Sequence, residues 1–151
     1  MALNIITIDE DPGKLLSQPC KTVPLDKIKD YSDLAHDMLD MAKSIGALGL
    51  AANQVGVNRR LFVLTNGSII VFNPEIIAKS NFITSREEGC LSVPDKRFDI
   101  RRAKTIVIRG YDVEGNEFTL KPKKKMDAIA IQHEIDHLNG FTLNDLGKQV
   151  S

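Results

Sequence analysis

Two histidines near the end of the chain lie four positions apart in the segment His133-Glu-Ile-Asp-His137, which follows the pattern H-E-x-x-H. On a helix, residues i and i+4 share one face, with β-carbons about 5–6 Å apart. Two imidazole nitrogens can then bind one divalent cation at about 2.0–2.1 Å each. Glu134 is one position round from His133, so its carboxylate can act as a general base on a water at that cation without being a ligand.

A metal site is not the only explanation of this segment. A lone buried histidine is usually a hydrogen-bonded core residue, and the five-residue pattern also occurs by chance. The surrounding residues 127–139 predict a helix that is apolar on several sides in its first half and that ends at Gly140. Because two imidazoles and two carboxylates are costly to bury unless they are paired or bind a metal, this context favours the metal site.

A hydrolytic metal site usually has three protein ligands and one open position. Where metzincin proteases continue to a third histidine, this chain has Leu143, and the residues after His137 include no His, Glu or Cys. The remaining soft candidates are Cys20, His36 and Cys90. Cys90 is favoured because it lies between two predicted strands and follows a glycine, which lets backbone approach closely. Cys20 is predicted to be a buried small apolar residue and His36 a surface residue.

The elements that position these residues follow from periodicity and turn signals. Apolar residues at three- and four-residue intervals predict a helix over about 28–45, with Leu34, Ala35, Met38, Ala42 and Ile45 on its apolar stripe and Gly46 as its stop. Segments rich in Ile, Val, Phe and Thr predict strands at 60–64, 68–73, 82–86, 97–102, 105–112 and 117–120, with another short strand at 5–8.

Short connections between these strands predict antiparallel pairing, because parallel crossovers need a dozen or more residues. Turns are expected at Asn66-Gly67, at Pro94-Asp95 and at residues 114–116. The fold class is therefore α+β, with antiparallel β-sheets packed around a buried central helix that carries H-E-x-x-H. No repeat or linker interrupts the sequence, so we expect a single catalytic domain over residues 1–151.

Composition excludes several classes of protein. A chain of 151 residues with 42% hydrophobic residues fits one globular domain rather than a disordered chain. Twenty basic and twenty acidic residues cancel, which argues against direct nucleic-acid binding and makes the basic run 121–125 a solvated loop. The short apolar runs exclude a membrane span. Two cysteines and no targeting segment predict a cytoplasmic protein, and its size is compatible with a monomer.

Three segments together resemble the motifs of the peptide deformylase family. Ala47-Leu-Gly-Leu-Ala-Ala-Asn-Gln54 resembles G-x-G-L-A-A-x-Q, and Glu88-Gly-Cys-Leu-Ser92 resembles E-G-C-L-S. Gln132-His-Glu-Ile-Asp-His-Leu-Asn-Gly140 resembles Q-H-E-x-D-H-L-x-G. The segments occur in the family's order, and the resemblance covers the chain from the first predicted helix to Gly140.

The resemblance implies a metal-dependent hydrolase that removes the N-formyl group from N-formylmethionyl nascent peptides and releases formate. Cys90, His133 and His137 would bind one divalent metal per chain, natively Fe²⁺, with Zn²⁺, Ni²⁺ or Co²⁺ able to replace it. A thiolate among the ligands suits a soft site that can hold Fe²⁺. A water would fill the fourth position.

The resemblance also implies which groups perform the reaction. Glu134 would take a proton from the water and later protonate the leaving amine. The side-chain amide of Gln54 and the backbone N–H of Leu91 would stabilise the oxyanion that forms on the formyl group. Asp136 would orient a ligand histidine or else lie on the helix surface.

The peptide substrate is expected to add as a strand beside the first two motifs, because main-chain pairing does not depend on its sequence. Two residues one turn before His133 would line the methionine pocket or, equally, pack in the core. The substrate-binding residues are therefore predicted to be Leu48, Gly49, Glu88, Gly89, Ile129 and Ala130, with Glu88 also paired to Arg102.

The sequence departs from the family pattern in three places. The family's proline-rich segment near the N-terminus is only loosely present, at residues 11–16. Ala47 replaces the first glycine of the first motif, which would narrow the substrate cleft or shift its loop. Residues 141–151 end where the family normally continues through a strand into a C-terminal helix that has been linked to ribosome docking. Ribosome association by that route is therefore in doubt, and short forms of this kind are similar to those of some bacteriophages.

Two alternatives remain from the sequence. One is another small metallopeptidase or amidohydrolase that uses the same Cys/His/His site. The other is a non-catalytic metal-binding homologue, against which Glu134 and Gln54 argue, because neither is needed to hold a metal.

Overall fold

Two antiparallel β-sheets and two main helices make up the computed structural model, which describes residues 3–151. The helices are α1 (Ser32–Ser44), α2 (Lys125–Leu138) and the short α3 (Leu143–Leu146), and 3₁₀ turns lie at Leu15–Ser17, Leu25–Tyr31 and Ala52–Val55. The strands are β1 (Gly49–Ala51), β2 (Leu61–Leu64), β3 (Ile69–Lys79), β4 (Phe82–Cys90), β5 (Val93–Ala103), β6 (Ile106–Tyr111), β7 (Glu117–Leu120) and β8 (Lys148–Gln149).

A five-stranded sheet in the order β1-β2-β3-β6-β7 lies between α1 and α2. Strand β2 shows how both faces are covered, because all four of its residues are buried. Phe62 and Leu64 pack with the apolar side chains of α2, whereas Leu61 and Val63 pack with those of α1. Alternate residues of a strand face opposite sides, so a strand with two covered faces is a continuous apolar run.

A smaller sheet in the order β4-β5-β8 lies on another side of α2. Gln132 joins this helix to the end of β5, because its amide accepts a hydrogen bond from the Ala103 N–H and donates one to the Ala103 carbonyl, each at 2.9 Å. Antiparallel sheets around a buried central helix are the predicted α+β arrangement, which is confirmed. Within residues 3–151, none of the helices combines the length and apolar character needed to cross a bilayer.

The helices differ from the sequence predictions mainly at their ends. The first predicted helix opens with the 3₁₀ segment Leu25–Tyr31 and becomes α-helical only at Ser32. Ile45, expected on its buried stripe, caps the helix and is exposed. Gly140 follows the second helix with φ of +89°, the left-handed conformation that ends helices.

Several predictions for strands and turns were wrong or incomplete, and β3, β4 and β5 are longer than the predicted 68–73, 82–86 and 97–102. Residues 5–8 form no strand; Thr7 makes an isolated bridge with Glu10, and Ile8 lies in the turn between them. Pro94-Asp95 lies within β5 rather than in the chain reversal, which is at Leu91-Ser92. Strands β1 and β8 were not predicted, and β8 places residues of the tail against β5 through the pairs Phe98–Gln149 and Asp99–Lys148.

Candidate metal centre and active site

The end of β4 and one face of α2 bring together the thiol of Cys90 and the imidazoles of His133 and His137. One ligand atom from each residue lies within 4.8 Å of the other two. The Cys90 Sγ atom is 3.2 Å from Nε2 of His137, and the two imidazole rings are 5.0 Å apart at an interplanar angle of 64°. The structure therefore gathers three soft donors at one point, as the i, i+4 spacing and the choice of Cys90 predicted.

The surroundings of the two histidines differ in charge. Burial alone would lower the pKa of His133, but the hydrogen bonds that its ring donates to Cys90 and Glu88, together with the charge of Glu134, outweigh burial and raise that pKa to about 10. A cation is thus favoured on this ring, and a metal ion competes with the proton for it. Burial and the neighbouring His133 lower the pKa of His137, which keeps that imidazole in the neutral, metal-binding form.

A buried arginine organises the acidic groups behind His133. Arg102, only 3% exposed, holds both oxygens of Glu88 through Nε at 3.1 Å and Nη2 at 2.8 Å, and its Nη1 contacts Asp136. Glu88 Oε1 is also 3.3 Å from Nδ1 of His133. Burial would raise the pKa of Glu88, but bonds from His133 and Arg102 lower it to about 2. The predicted pairing of Glu88 with Arg102 is confirmed, and Glu88 rather than Asp136 contacts the ligand histidine.

Glu134 is buried on the same helix with a free carboxylate oxygen. It is 4% exposed, and its Oε1 has no hydrogen-bond partner within residues 3–151. Burial raises its pKa to about 7, so the carboxyl group can gain or lose a proton near neutral pH. Gly49 leaves room for it, since a β-carbon there would lie 3.0 Å from Glu134 Oε2.

Gln54 lies beside Cys90 with its amide orientation fixed by hydrogen bonds. Its Oε1 accepts from the Ala51 N–H at 2.9 Å, so Nε2 faces Ser92 Oγ at 3.1 Å and Cys90 Sγ at 3.6 Å. Leu91, whose backbone N–H is the other predicted oxyanion donor, follows Cys90 in the turn between β4 and β5. Both predicted donors are therefore neighbours of the thiol, Gln54 in space and Leu91 in sequence.

The predicted substrate-binding residues differ in exposure. Leu48 is 50% exposed next to β1, which is an edge strand of the larger sheet, and Gly89 belongs to β4, an edge strand of the smaller one. Ile129 is half-buried, whereas Ala130 is buried in the core cluster of α2. Core packing accounts for Ala130 without a substrate contact.

The other soft candidates lie elsewhere in the fold. Cys20 is buried, as predicted, and desolvation raises the pKa of its thiol to about 11, which makes it a poor ligand. His36 is exposed on α1, where its Nδ1 contacts the carbonyl of Ser32. In the part of the chain that the structure describes, the one group of three metal-ligating side chains is the Cys90 group.

Sequence reasoning missed the part of Ser92 and predicted only one of the two partners of Arg102. Ser92 is fully buried against Gln54, whereas from the sequence it was only the last residue of the second motif. Arg102 was predicted only as a partner of Glu88, and its contact with Asp136 was not predicted. A signal existed for Arg102, because an arginine in a strand that otherwise alternates towards the core requires paired carboxylates.

Comparisons with known proteins agree with this geometry. The family model described as polypeptide deformylase matches residues 3–150, so the match extends beyond the three motifs to both ends of the chain. "Peptide deformylase 1" of Clostridium perfringens is 39% identical over 150 residues, covering 96% of this chain and 98% of that protein. The peptide deformylase of Borreliella burgdorferi is 40% identical over 124 residues, covering 80% and 73%.

Solved structures show the same fold. The deformylase from the Vibrio parahaemolyticus bacteriophage VP16T, crystallised in complex with actinonin, superposes with a TM-score of 0.83 at 36% identity, covering 93% of this chain and 99% of that one. Peptide deformylase from Thermotoga maritima superposes with a TM-score of 0.85 at 29% identity and 97% coverage of both chains. The chain belongs to the polypeptide deformylase family.

Proposed function

We propose that this chain hydrolyses the formyl amide of N-formylmethionyl nascent peptides and releases formate, with one divalent metal ion held by Cys90, His133 and His137. The observation that carries the proposal is the convergence of these three donors within 4.8 Å beside the buried carboxylate of Glu134. A purely structural site needs a fourth protein ligand and no such carboxylate.

The residues present fit a divalent ion. One thiol and two imidazoles form a soft donor set, and Glu88 contacts the outer nitrogen of His133 in the manner of groups that orient ligand histidines. An ion bound there would polarise the formyl oxygen and lower the pKa of water. The set suits Fe²⁺ as the native ion and also Zn²⁺, Ni²⁺ or Co²⁺.

Glu134 acts as the general base and acid. Its carboxylate accepts a proton from the attacking water and then delivers it to the amine that leaves. A pKa near 7 supports both steps, because the group holds and releases the proton with similar ease. The Gln54 Nε2 group and the Leu91 N–H donate to the oxyanion that develops on the formyl group.

The peptide pairs with the edge strands β1 and β4 near Gly49 and Gly89. Edge strands present unpaired backbone groups that an extended peptide can complete, and this contact is independent of the peptide's side chains. The exposed Leu48 and half-buried Ile129 supply apolar surface for the methionine side chain. The part in substrate binding that the sequence suggested for Glu88 and Ala130 stays a prediction.

Replacing Gly49 with alanine tests the space beside the base. The added β-carbon would lie 2.9 Å from the Val63 carbonyl oxygen and 3.0 Å from Glu134 Oε2, both shorter than normal contacts. Moving Glu134 cannot relieve the contact with the Val63 carbonyl, so both β1 and the Glu134 side chain must shift. We therefore expect kcat to fall about 10²-fold, because small displacements of reacting groups have effects of this size. Formate release under saturating peptide measures the loss.

The matched control is Ala47→Gly, two residues away, which restores the family's motif glycine and adds no atoms. We expect its kcat to stay within a factor of about 3 of the parent and its metal content to be unchanged. Full activity of Gly49→Ala would contradict the placement of Glu134 against this glycine.

The same function implies an oligomeric state and a location in the cell. We propose a monomer that works in the cytoplasm on chains leaving the ribosome, without direct contact to nucleic acid. Residues 141–151 form α3 and β8, and β8 pairs with β5. Sedimentation of the protein with ribosomes tests whether the two associate.

The deciding experiment compares a formyl-Met-Ala peptide with unformylated Met-Ala, using protein purified without oxygen and analysed for metal. We expect formate release with the first substrate, no cleavage of the second, and about one metal ion per chain. Preference for the unformylated peptide would favour a small metallopeptidase. Metal content near one with no turnover of either substrate would favour a non-catalytic metal-binding homologue.

A further inference from the structure

The N-terminal segment 6–8 connects the two halves of the proposed oxyanion site. Gln54 follows β1 of the larger sheet, whereas Leu91 and Ser92 form the turn between β4 and β5 of the smaller sheet. The Ile6 N–H donates to the Gln54 carbonyl at 2.7 Å, and the Ile8 N–H donates to the Ser92 carbonyl at 2.8 Å. One short segment therefore contacts the backbones of both donor-bearing turns.

Ser92 adds a directional hydrogen-bond chain to this connection. Its hydroxyl donates to the Ile6 carbonyl at 2.7 Å, so its lone pairs remain to accept from Gln54 Nε2 at 3.1 Å. The hydroxyl group is fully buried and Gln54 is 3% exposed, so water does not compete for these bonds. The chain runs from the Gln54 amide through Ser92 to the backbone of Ile6.

This hydrogen-bond chain determines how the side-chain amide of Gln54 is oriented towards the metal centre. Oε1 accepts a hydrogen bond from the Ala51 N–H, and Nε2 uses one of its two hydrogens to donate to the Ser92 hydroxyl. The second hydrogen is left on the side of Cys90 Sγ, which is 3.6 Å away. Without Ser92 the Nε2 group would lose the partner that sets its direction, and a donor that must reorganise during reaction stabilises charge less well.

We propose that Ser92, held by residues 6–8, is a positioning residue that aims the Gln54 amide at the developing oxyanion. The proposal deepens the proposed deformylase function and rests on it. Ser92 does not touch the substrate; it acts through Gln54, and the N-terminal segment acts through Ser92.

A double-mutant cycle tests this dependence. We expect Gln54→Ala to lower kcat about 10²–10³-fold and Ser92→Ala to lower it about 10-fold, with KM and metal content unchanged. In the Gln54→Ala background, adding Ser92→Ala should change kcat less than about 2-fold, because the group it positions is gone. Ser92→Thr, which keeps the hydroxyl, should recover most of the activity.

Two outcomes of the cycle would overturn the proposal. If Ser92→Ala lowers kcat by the same factor in both backgrounds, Ser92 supports the fold rather than Gln54. If Ser92→Ala keeps full activity, the hydrogen bond has no part in the reaction. Ser44→Ala is the matched control, because it removes a serine hydroxyl from the exposed end of α1, where this group donates to the Met41 carbonyl at 2.8 Å, and it should leave kcat unchanged.

If Ser92→Ala does not fold, a measurement on the unaltered protein can test the hydrogen bond between Gln54 and Ser92. In zinc-loaded protein, the Gln54 side-chain amide hydrogens should exchange with solvent far more slowly than those of the exposed Gln149, as seen by NMR. Equally fast exchange would overturn the proposal. If the unaltered protein releases no formate, the proposed function fails, whereas slow exchange would still establish the hydrogen-bond chain.

Discussion

Glu134→Gln should lower kcat for the formyl-methionyl peptide about 10³-fold while the protein keeps about one metal ion per chain. Glutamine has nearly the same shape, so the buried site stays filled, but its amide cannot accept the proton of the attacking water. The three ligands are untouched, because Glu134 is not one of the donors that converge at Cys90. Formate release and metal analysis on the same sample measure the two quantities together.

The control for this prediction is Glu87→Gln, which removes a negative charge three residues before Cys90 from an exposed position. Its kcat should stay within a factor of about 2 of the parent. Glu134→Ala should be as inactive as Glu134→Gln and equally metal-loaded. Substantial turnover by either variant would show that another group takes the proton, and loss of the metal would show that the carboxylate supports the ligand site directly.

The central helix could be predicted closely because local and global signals agree there. Apolar residues recur through the segment, and Gly140 adopts the left-handed conformation that its position after a helix implies. The observed Lys125–Leu138 differs from the predicted 127–139 by two residues at one end and one at the other. The ligand spacing of His133 and His137 depends only on this helix, so it could also be derived from sequence.

The short strands depend on tertiary pairing and could not be predicted. β1 consists of Gly-Leu-Ala, without a β-branched or aromatic residue, and is a strand because it pairs with β2. Pro94-Asp95 interrupts the regular pairing of β4 with β5, although it does not form the predicted turn. Between the pairs Glu88–Phe98 and Cys90–Val93, β5 contributes more residues than β4, so this dipeptide lies in a bulge instead of a turn.

In the site, the metal ligands could be predicted from the sequence, whereas most of the residues that orient them could not. The scarcity of soft ligands in the sequence is enough to favour Cys90, because few other residues could complete the site. The partners that orient these groups come from distant strands and carry no spacing pattern. Ser92 is recognisable only from its burial and its hydrogen bonds, and the contact of Arg102 with Asp136 is recognisable only from the structure.

Arg102→Met should lower the free energy of unfolding of the metal-free protein by about 3–5 kcal/mol, the usual cost of removing one member of a buried ion pair. Arg102 is almost fully buried, and the change leaves Glu88 and Asp136 without their shared cation. Urea denaturation in the presence of a chelator measures this loss. Arg109→Met is the control, because its pairs with glutamates are solvent-exposed and contribute little to stability.

The same variant should weaken metal binding about 10–100-fold, measured by competition with a zinc indicator. Arg102 holds Glu88, and Glu88 contacts Nδ1 of His133, so the ligand ring loses its fixed partner. Adding Glu88→Gln to Arg102→Met removes the stranded charge and should restore part of the stability without restoring metal affinity. Parallel recovery of both quantities would mean that Arg102 serves only the fold, whereas separate responses would show that the buried arginine supports the metal centre through the orientation of His133.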